Sequence, residues 1–415
     1  MTLYLQNFLE IVMVRRKSID PSLLEAAKQF DSEQFLESVK AEFADFPDPR
    51  LNQKRILYPI WYLCLITLCG FFCGCNTVDE IAEYVLLRQT WFNSLLGNSY
   101  KTPCYGTIWW FLVKTQPEAL KKYLQKWLIK MPGELKDQLL ALDGKRLRSA
   151  NFLGNITHIV ELFATEDRLV LAVEKVPNKT VEKTTLPDIL SQVDVNGSII
   201  SGDAHFTVPE SAKQIIEAQA DYLLAVKDNQ PTLHAEMQNY FEQAEAMGWE
   251  EIEHSSHATI EKEHGRIETR EVKVIEDLEW LRQKEKWRNL TSLIEVKSTR
   301  EWIGQNKTER AKRYYISSRS AKASHFCGWV RGHWKIENNC HWVADVIFQE
   351  DMALANRGHS AENLGIFRRL VMNIASLTDP KRGLASVRTT AAFGGDYLKG
   401  ILSKIFLKKM VNNSS

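Results

Sequence analysis

The spacing of apolar residues divides the chain into a helical first part and a mixed second part. Up to about residue 130, apolar side chains recur at helical spacing, as Leu23, Ala27 and Phe30 do near the start. This pattern predicts helices over 18–48, 59–74, 78–87 and 117–130, and another after Pro103. We therefore expect an all-helical N-terminal domain over residues 1–135.

From residue 138 the helical period gives way to short apolar runs and alternation. Strands are predicted at 139–142, 159–165, 169–176, 198–202 and 221–226, with helices over 186–193 and 209–220. After a helix that ends near residue 248, alternation over 258–275, 292–300 and 312–318 predicts a small antiparallel insertion, about residues 249–320. A mixed α/β fold, with helices packed on one sheet, satisfies this order.

A helix predicted over 324–348 returns the chain to the core and carries a polar stripe. Its polar members recur every four residues: His333, Glu337, His341 and Asp345. Its apolar packing is assigned to Trp334, Ile336, Trp342, Val343, Val346 and Ile347, with both tryptophans as core anchors rather than base-stacking groups. The stripe fits a metal site and fits equally a helix face turned to water. A helix over 360–378 then completes a domain of residues 136–378, and a less regular tail follows over 379–415.

The composition is that of an ordinary globular protein, and only its local charge points to a partner. The 415 residues are 44% apolar and 25% charged, with a net charge of +1. The segment from Arg300 to Lys335, however, contains nine Lys or Arg residues and only two acidic ones. Such an excess is expected for phosphate contacts, although a solvated basic face gives the same count.

The cysteines and the chain start favour a protein of the reducing cytoplasm. Seven cysteines without a Cys-x-x-Cys pair argue against a disulfide framework. The first residues have no basic-then-apolar order typical of a signal peptide. The uncharged stretch from Ile56 to Cys75 is long enough to cross a bilayer. Because it contains Pro59 and is followed by a capped helix start at Thr77, we predict a buried core helix rather than a membrane segment.

Two aspartates share a sequence context that suits metal chemistry. Asp143 and Asp203 each follow an apolar strand and precede a small residue. With Glu337 from a helix across the strand ends, they would form a three-carboxylate cluster, whose repulsion divalent cations relieve. Oxygen ligands select Mg²⁺ or Mn²⁺, and two such ions roughly 3.5–4 Å apart clamp the attacking and leaving oxygens of a phosphodiester displacement. Taken alone, each aspartate also fits a turn or a helix cap. Zinc is not favoured, since the sequence places no third nitrogen or sulfur ligand near His333 and His341.

Several stretches carry a family resemblance that covers nearly the whole chain from about 45 to 402. They are Leu142–Arg148, Ser201–Phe206, Asp221–Leu233, His264–Arg270, Arg331–Asn338 and His341–Asp351, with Asp48–Arg50 in the N-terminal part. The His-Trp-x-Ile-Glu-Asn stretch is the most specific of them. In these stretches the chain resembles the H-repeat-associated, ISAs-type insertion-sequence transposases of the DDE superfamily.

The resemblance implies a ribonuclease H-like catalytic domain, interrupted by a β-rich insertion, that cleaves DNA at transposon ends and transfers strands. It implies two divalent metals, Mg²⁺ with Mn²⁺ able to substitute, held by Asp143, Asp203 and Glu337 as catalytic acids. The family usually has Leu where Cys340 stands. Some relatives place an Arg and a Lys at set distances around the third acid, where this chain has His333 and Ala344. That departure keeps Asp345 and Glu350 as rivals of Glu337.

The DNA contacts are assigned to basic and amide side chains near these acids. The candidates are Lys145, Arg148, Lys227, Gln230, Arg310, Arg313, Arg331 and His333. Double-stranded DNA, as transposon ends and target, is the expected partner, and pairing two ends implies a homodimer on DNA. Two alternatives to a transposase stay open: a catalytically inactive DNA-binding relic, and a stand-alone Mg²⁺-dependent nuclease.

Overall fold

A computed structural model describes residues 18–50, 56–97, 100–128, 134–147, 157–176, 184–263, 265–352 and 357–413. The chain divides into two compact units: residues 1–130 with 344–415 form the first, and residues 131–343 form the second. This division differs from the predicted domains, because the residues after 343 group with the N-terminal helices rather than with the sheet.

Short helices build the N-terminal part of the first unit. They are α1 (Pro21–Lys28), α2 (Ser32–Glu42), α3 (Ile60–Phe72), α4 (Val78–Leu87), α5 (Gln89–Leu96), α6 (Tyr105–Lys114) and α7 (Pro117–Leu128). The helix predicted over 18–48 is two helices, because the Asp31 side chain accepts hydrogen bonds from the Glu33 and Gln34 amides and starts α2. Helix α5 was not predicted; it follows α4 directly and ends at Gly97, whose φ is 59°.

Helix α3 is the core of this unit. All of its side chains are buried, which confirms the predicted core helix. Within the described part of the chain, no helix combines the length and the apolar character needed to cross a bilayer.

The second unit is built on one mixed sheet of nine strands. The strands are β1 (Leu139–Leu147), β2 (Thr157–Ala164), β3 (Leu169–Val176), β4 (Ile199–Gly202), β5 (Asp221–Val226), β6 (Ser255–Glu263), β7 (Arg266–Ile275), β8 (Ser292–Trp302) and β9 (Thr308–Ser317). Their order is β3-β2-β1-β4-β5-β9-β8-β7-β6. Strands β1, β4 and β5 are parallel, and the other pairs are antiparallel. Helices α8 (Leu186–Ser191), α9 (Pro209–Glu217) and α10 (Pro231–Ala246) connect the strands.

The predicted insertion is not a separate small sheet. Strand β9 pairs with β5, with Leu223 opposite Ser317 and Val226 opposite Tyr314, so β6–β9 extend the core sheet. The stretch predicted over 258–275 is two strands, and Gly265 between them has a φ of 73°. The alternation of apolar and polar residues therefore predicted these strands correctly. The pairing of β9 with β5, which the sequence does not display, is what joins them to the core sheet.

The helix predicted over 324–348 is regular only at first. Helix α11 (Ala323–His333) is followed by π-helical segments over Glu337–His341 and Val343–Ile347. The buried residues recur every four positions: Ile336, Cys340, Ala344 and Phe348. Trp334 and Trp342 are 40% and 54% exposed, so their prediction as core anchors was wrong. The wider π-helical turn moves the buried stripe off the positions expected for a 3.6-residue period.

The C-terminal part of the first unit is helical throughout its described residues. Helices α12 (Ser360–Thr378), α13 (Leu384–Phe393) and α14 (Gly395–Asn413) replace the irregular tail predicted over 379–415. Arg388 of α13 donates hydrogen bonds to the carbonyls of Phe71 and Cys75 at the end of α3. These bonds satisfy carbonyls that a helix end leaves without partners.

Candidate active site

The parallel ladder between β1 and β4 brings two aspartates to the same edge. Its last paired residues are Leu142 and Gly202, so Asp143 and Asp203 are the next residue on each of two neighbouring strands. Neighbouring strands lie about 4.8 Å apart. Strand β1 itself does not stop at Asp143, as predicted, but continues to Leu147 through its antiparallel pairing with β2.

Backbone amides fix one oxygen of each aspartate. Asp143 Oδ1 accepts from the Gly144 amide at 2.8 Å, and Asp203 Oδ1 accepts from the His205 amide at 2.9 Å. The Asp203 bond caps the short 3₁₀ turn Ala204–Phe206. Each carboxylate therefore keeps its second oxygen for other contacts.

The charge of Glu337 acts on the first aspartate. Burial raises the pKa of Asp143 to about 6, and the charges of Asp203 and Glu337 raise it as well, against the lowering effects of His341 and the Gly144 amide. Both acids are thus close enough to act on Asp143.

The two rival third acids have partners elsewhere, in the first unit. Glu350 is buried and forms an ion pair with both Arg368 and Arg369. Asp345 acts electrostatically on Arg368. The charge of Glu337 raises the pKa of Asp143, which favours it as the third acid.

A histidine lies between Asp143 and a buried glutamate. His341 Nδ1 lies 3.7 Å from Asp143 Oδ2, and His341 Nε2 lies 3.1 Å from Glu161 Oε2. Glu161 stands opposite Asp143 in the β1–β2 register and its side chain has no exposed surface. Sequence reasoning missed Glu161, although an acid inside the apolar run of β2 was a signal that could have found it.

His333 lies beside Asp203 as a neutral side chain. Burial lowers the pKa of His333 to about 4, although the charge of Asp203 raises it. Its Nδ1 makes a hydrogen bond with Ser201 Oγ at 2.9 Å. The assignment of His333 to DNA binding stays a prediction.

The other residues predicted to contact DNA differ in their exposure and in their hydrogen bonds. Lys145 is buried, because the alternation of β1 places it with Leu147 on a covered face. Arg148 lies outside the described residues. Lys227 is exposed, whereas Gln230 uses its side-chain amide to donate to the Thr207 carbonyl at 3.0 Å.

An arginine-lined cleft adjoins Glu337. Its volume is about 780 Å³. Its basic lining residues are Arg266, Arg270, Arg300, Arg313, Arg331 and Lys335, and Glu337, Trp334 and Asn338 line it too. The cleft combines the predicted Arg313 and Arg331 with two arginines of β7 that sequence reasoning did not assign, whereas the exposed Arg310 does not line it. The i, i+2, i+4 spacing of Arg266, Glu268 and Arg270 on one strand face could have predicted them.

A glutamate in the floor of the cleft holds its arginines. Glu268 Oε1 lies 2.8 Å from Arg270 and 3.0 Å from Arg300. Burial by itself would raise the pKa of Glu268, but the hydrogen bond from Arg300 and the charges of both arginines outweigh it and lower that pKa. At the rim, Arg313 lies over the Trp334 ring, 5.3 Å from its centroid. The arginine side chains are therefore oriented before any ligand binds.

Comparisons with known proteins identify the family of the chain. A family model for the transposase DDE domain matches residues 134–374, and a DDE_Tnp_1-associated model matches residues 40–128. A protein named "Uncharacterized protein in dhlA 3'region", from Xanthobacter autotrophicus, is 34% identical over 69% of this chain and 96% of its own length. The "H repeat-associated putative transposase YhhI" of Escherichia coli K12 is 28% identical over 89% of this chain and 98% of its own length.

A solved piggyBac transposase, in a synaptic complex with hairpin DNA, aligns with 96% of this chain and 83% of its own, at 10% identity and a TM-score of 0.40. That likeness is too loose to carry an argument, and the sequence matches decide the assignment. The chain belongs to the transposase DDE domain family, among relatives of the H-repeat-associated transposases.

Proposed function

We propose that this protein is a DNA transposase that cleaves transposon ends and transfers the strands, with Asp143, Asp203 and Glu337 as its catalytic acids. The observation that supports the proposal most directly is the position of the two aspartates, one residue beyond the last pair of a parallel ladder. The effect of Glu337 on Asp143 adds the third acid. The strand order β3-β2-β1-β4-β5, with parallel β1, β4 and β5, is consistent with the ribonuclease H-like core that the family resemblance implies.

The residues present fit a pair of hard divalent cations. The three side chains offer only carboxylate oxygens, which Mg²⁺ and Mn²⁺ prefer. The raised pKa of Asp143 reports burial and like-charge repulsion that bound cations would relieve. Two Mg²⁺ ions held there would supply the activation of the attacking hydroxyl and the stabilisation of the leaving oxygen.

The chain's own groups position these acids. The Gly144 and His205 amides each hold one carboxylate oxygen, and His341 Nδ1 lies 3.7 Å from the second oxygen of Asp143. Preorganised ligands of this kind keep the reacting groups within the small tolerance that strand cleavage needs.

The cleft next to Glu337 is the proposed site for the DNA backbone. Guanidinium groups bind phosphate through two parallel hydrogen bonds. Glu268 holds Arg270 and Arg300 in place, so less side-chain freedom is lost when double-stranded DNA binds. Two transposon ends need two such sites, so we propose that the protein acts as a dimer on DNA.

Cleavage of a labelled duplex that carries the flanking element's end tests the proposal. In Mg²⁺, the wild-type protein should nick at the end, and Asp203→Ala should bind the duplex equally well without cutting it. Asp167→Ala, in the exposed turn between β2 and β3, is the matched control and should cut normally.

The same assay separates the alternatives. If wild type and Asp203→Ala bind alike and neither cuts, even in Mn²⁺, the protein is a DNA-binding relic. If the wild type cuts but never joins the new 3′ end to a target duplex, it is a nuclease. Products in which the end is joined to the target support a transposase.

A further inference from the structure

A second group of metal-ligand side chains lies on the other side of His341 from the carboxylates. Its members are Glu161 of β2 and Cys340 and His341 of the π-helical turn, and one ligand atom of each lies within 4.8 Å of the others. Cys340 Sγ is 3.7 Å and His341 Nε2 is 3.1 Å from the same oxygen, Glu161 Oε2. Tetrahedral zinc with bonds of about 2.0–2.3 Å separates such ligand atoms by about 3.3–3.6 Å. The two distances to Glu161 Oε2 are therefore close to the spacing that one ion requires, and the third lies within 4.8 Å.

The burial and charge of the group favour a cation. The Glu161 side chain has no exposed surface, Cys340 is fully buried and His341 is 13% exposed. Glu161 Oε2 accepts a hydrogen bond from Cys340 Sγ, and a divalent cation that replaces this proton would compensate the buried carboxylate in the same place. Among the described residues, His341 Nε2 is buried and makes no hydrogen bond, even though Glu161 is nearby. A carboxylate, a thiolate and a neutral imidazole together balance the charge of a divalent ion.

The other ring nitrogen of His341 lies near a carboxylate. Its Nδ1 faces Asp143 Oδ2 at 3.7 Å. A histidine that binds metal through one nitrogen commonly directs its second N–H to a carboxylate, which fixes the ring orientation. The donor set also differs from that of the catalytic acids, since nitrogen and sulfur select zinc-like ions rather than Mg²⁺.

We propose that Glu161, Cys340 and His341 bind one Zn²⁺, which holds His341 as a positioning residue against Asp143. Binding releases the Cys340 thiol proton to solvent, and the thiolate forms the Zn–S bond. The sequence analysis did not favour zinc at His333 and His341; the site proposed here uses His341 with its neighbour Cys340, and folding adds the Glu161 carboxylate from a distant strand. The metal site itself does not depend on the proposed cleavage reaction, whereas the positioning role of His341 rests on the proposed function.

Metal content and cobalt spectroscopy on the full chain test this site. The protein as purified should contain about one zinc per chain by elemental analysis. After removal by a chelator, Co²⁺ alone should bind with a stoichiometry of about one and give a thiolate-to-cobalt absorption band. Cys340→Ala should lose this band, whereas Cys327→Ala, which removes a buried cysteine of α11, should keep it.

Two further variants keep the test decisive. Glu161→Gln should weaken Co²⁺ affinity at least tenfold while circular dichroism shows the native fold, which covers the case in which Cys340→Ala does not fold. Asp203→Ala should keep the band while losing DNA cleavage, so the failure of the zinc site and the failure of the proposed function are distinguishable. A folded wild type without a thiolate band at saturating Co²⁺, a band that survives Cys340→Ala, or unchanged affinity in Glu161→Gln overturns the proposal.

Discussion

Gly332 lets α11 approach β1 closely, and replacing it with alanine should move the catalytic helix. A Cβ at this position would lie 2.4 Å from Leu139 Cδ2. Carbon atoms in contact are about 3.5–4.0 Å apart, so the conflict is about 1 Å. Leu139 is packed in a buried cluster with Phe326 and Val330, which limits how far its side chain can turn away.

The energetic cost of Gly332→Ala should be small but its effect on activity large. Overpacking a core costs about 1–3 kcal/mol, and the better helix propensity of alanine offsets about 1 kcal/mol of that. The helix carries His333 and leads into Glu337, and a shift of about 1 Å at a reacting centre can cost about 10²-fold in rate. We expect cleavage to fall by about 10- to 100-fold while the thermal midpoint falls by only a few degrees.

Single-turnover cleavage of the labelled duplex in Mg²⁺, with a parallel melting curve, measures both quantities. Gly328→Ala, on the same helix, is the matched control, because a Cβ at this position would have no atom within 4 Å. This variant should cut DNA at the wild-type rate, and its thermal midpoint should not fall. Adding Leu139→Ala to Gly332→Ala should restore part of the lost activity by removing the conflicting atom. Cleavage at the wild-type rate in Gly332→Ala would refute the reasoning, because it would mean that the Leu139 side chain repacks and the helix keeps its position.

The other predictions concern the cleft and the two units. The slope of a plot of log K for DNA binding against log salt concentration measures the number of phosphate contacts. Arg300→Ala should make this slope shallower by about one, whereas Arg282→Ala, at an exposed position outside the cleft, should leave it unchanged. Arg388→Met should destabilise the protein by about 3–5 kcal/mol in denaturant unfolding, because buried carbonyls lose their donors; a loss below about 1 kcal/mol would contradict this. Burial raises the pKa of Glu295, so the folded state holds that proton more tightly and stability falls as pH rises from the unfolded pKa towards the folded one. Glu295→Gln should therefore melt near wild type at pH 4 and above it at pH 7, and an equal difference at both pH values would count against the prediction.

Local pattern was enough to predict the strands that carry the aspartates. A run of apolar residues followed by an acid and a small residue marks Asp143 and Asp203, and the chain order of strands and helices restricts how those strands pair. The predicted helices α3 and α4 were likewise recognised from periodicity and from the Thr77 cap. These strands, helices and caps depend on residues that are only a few positions apart, so the sequence alone is enough to predict them.

Tertiary structure alone decided what lies next to these local features. The π-helical turns shift the buried positions to a four-residue interval, which exposes Trp334 and Trp342 against the prediction. Pairing of β9 with β5 made the insertion part of the core sheet, and the β1–β2 register placed Glu161 opposite Asp143.

The arginines of β7 joined the cleft for the same reason: strands far apart in sequence became neighbours in the sheet. Such contacts depend on register and on helix geometry, and these are fixed by the summed packing of the whole unit. Periodicity within one segment therefore determines which elements form, and only the folded sheet determines which charges meet.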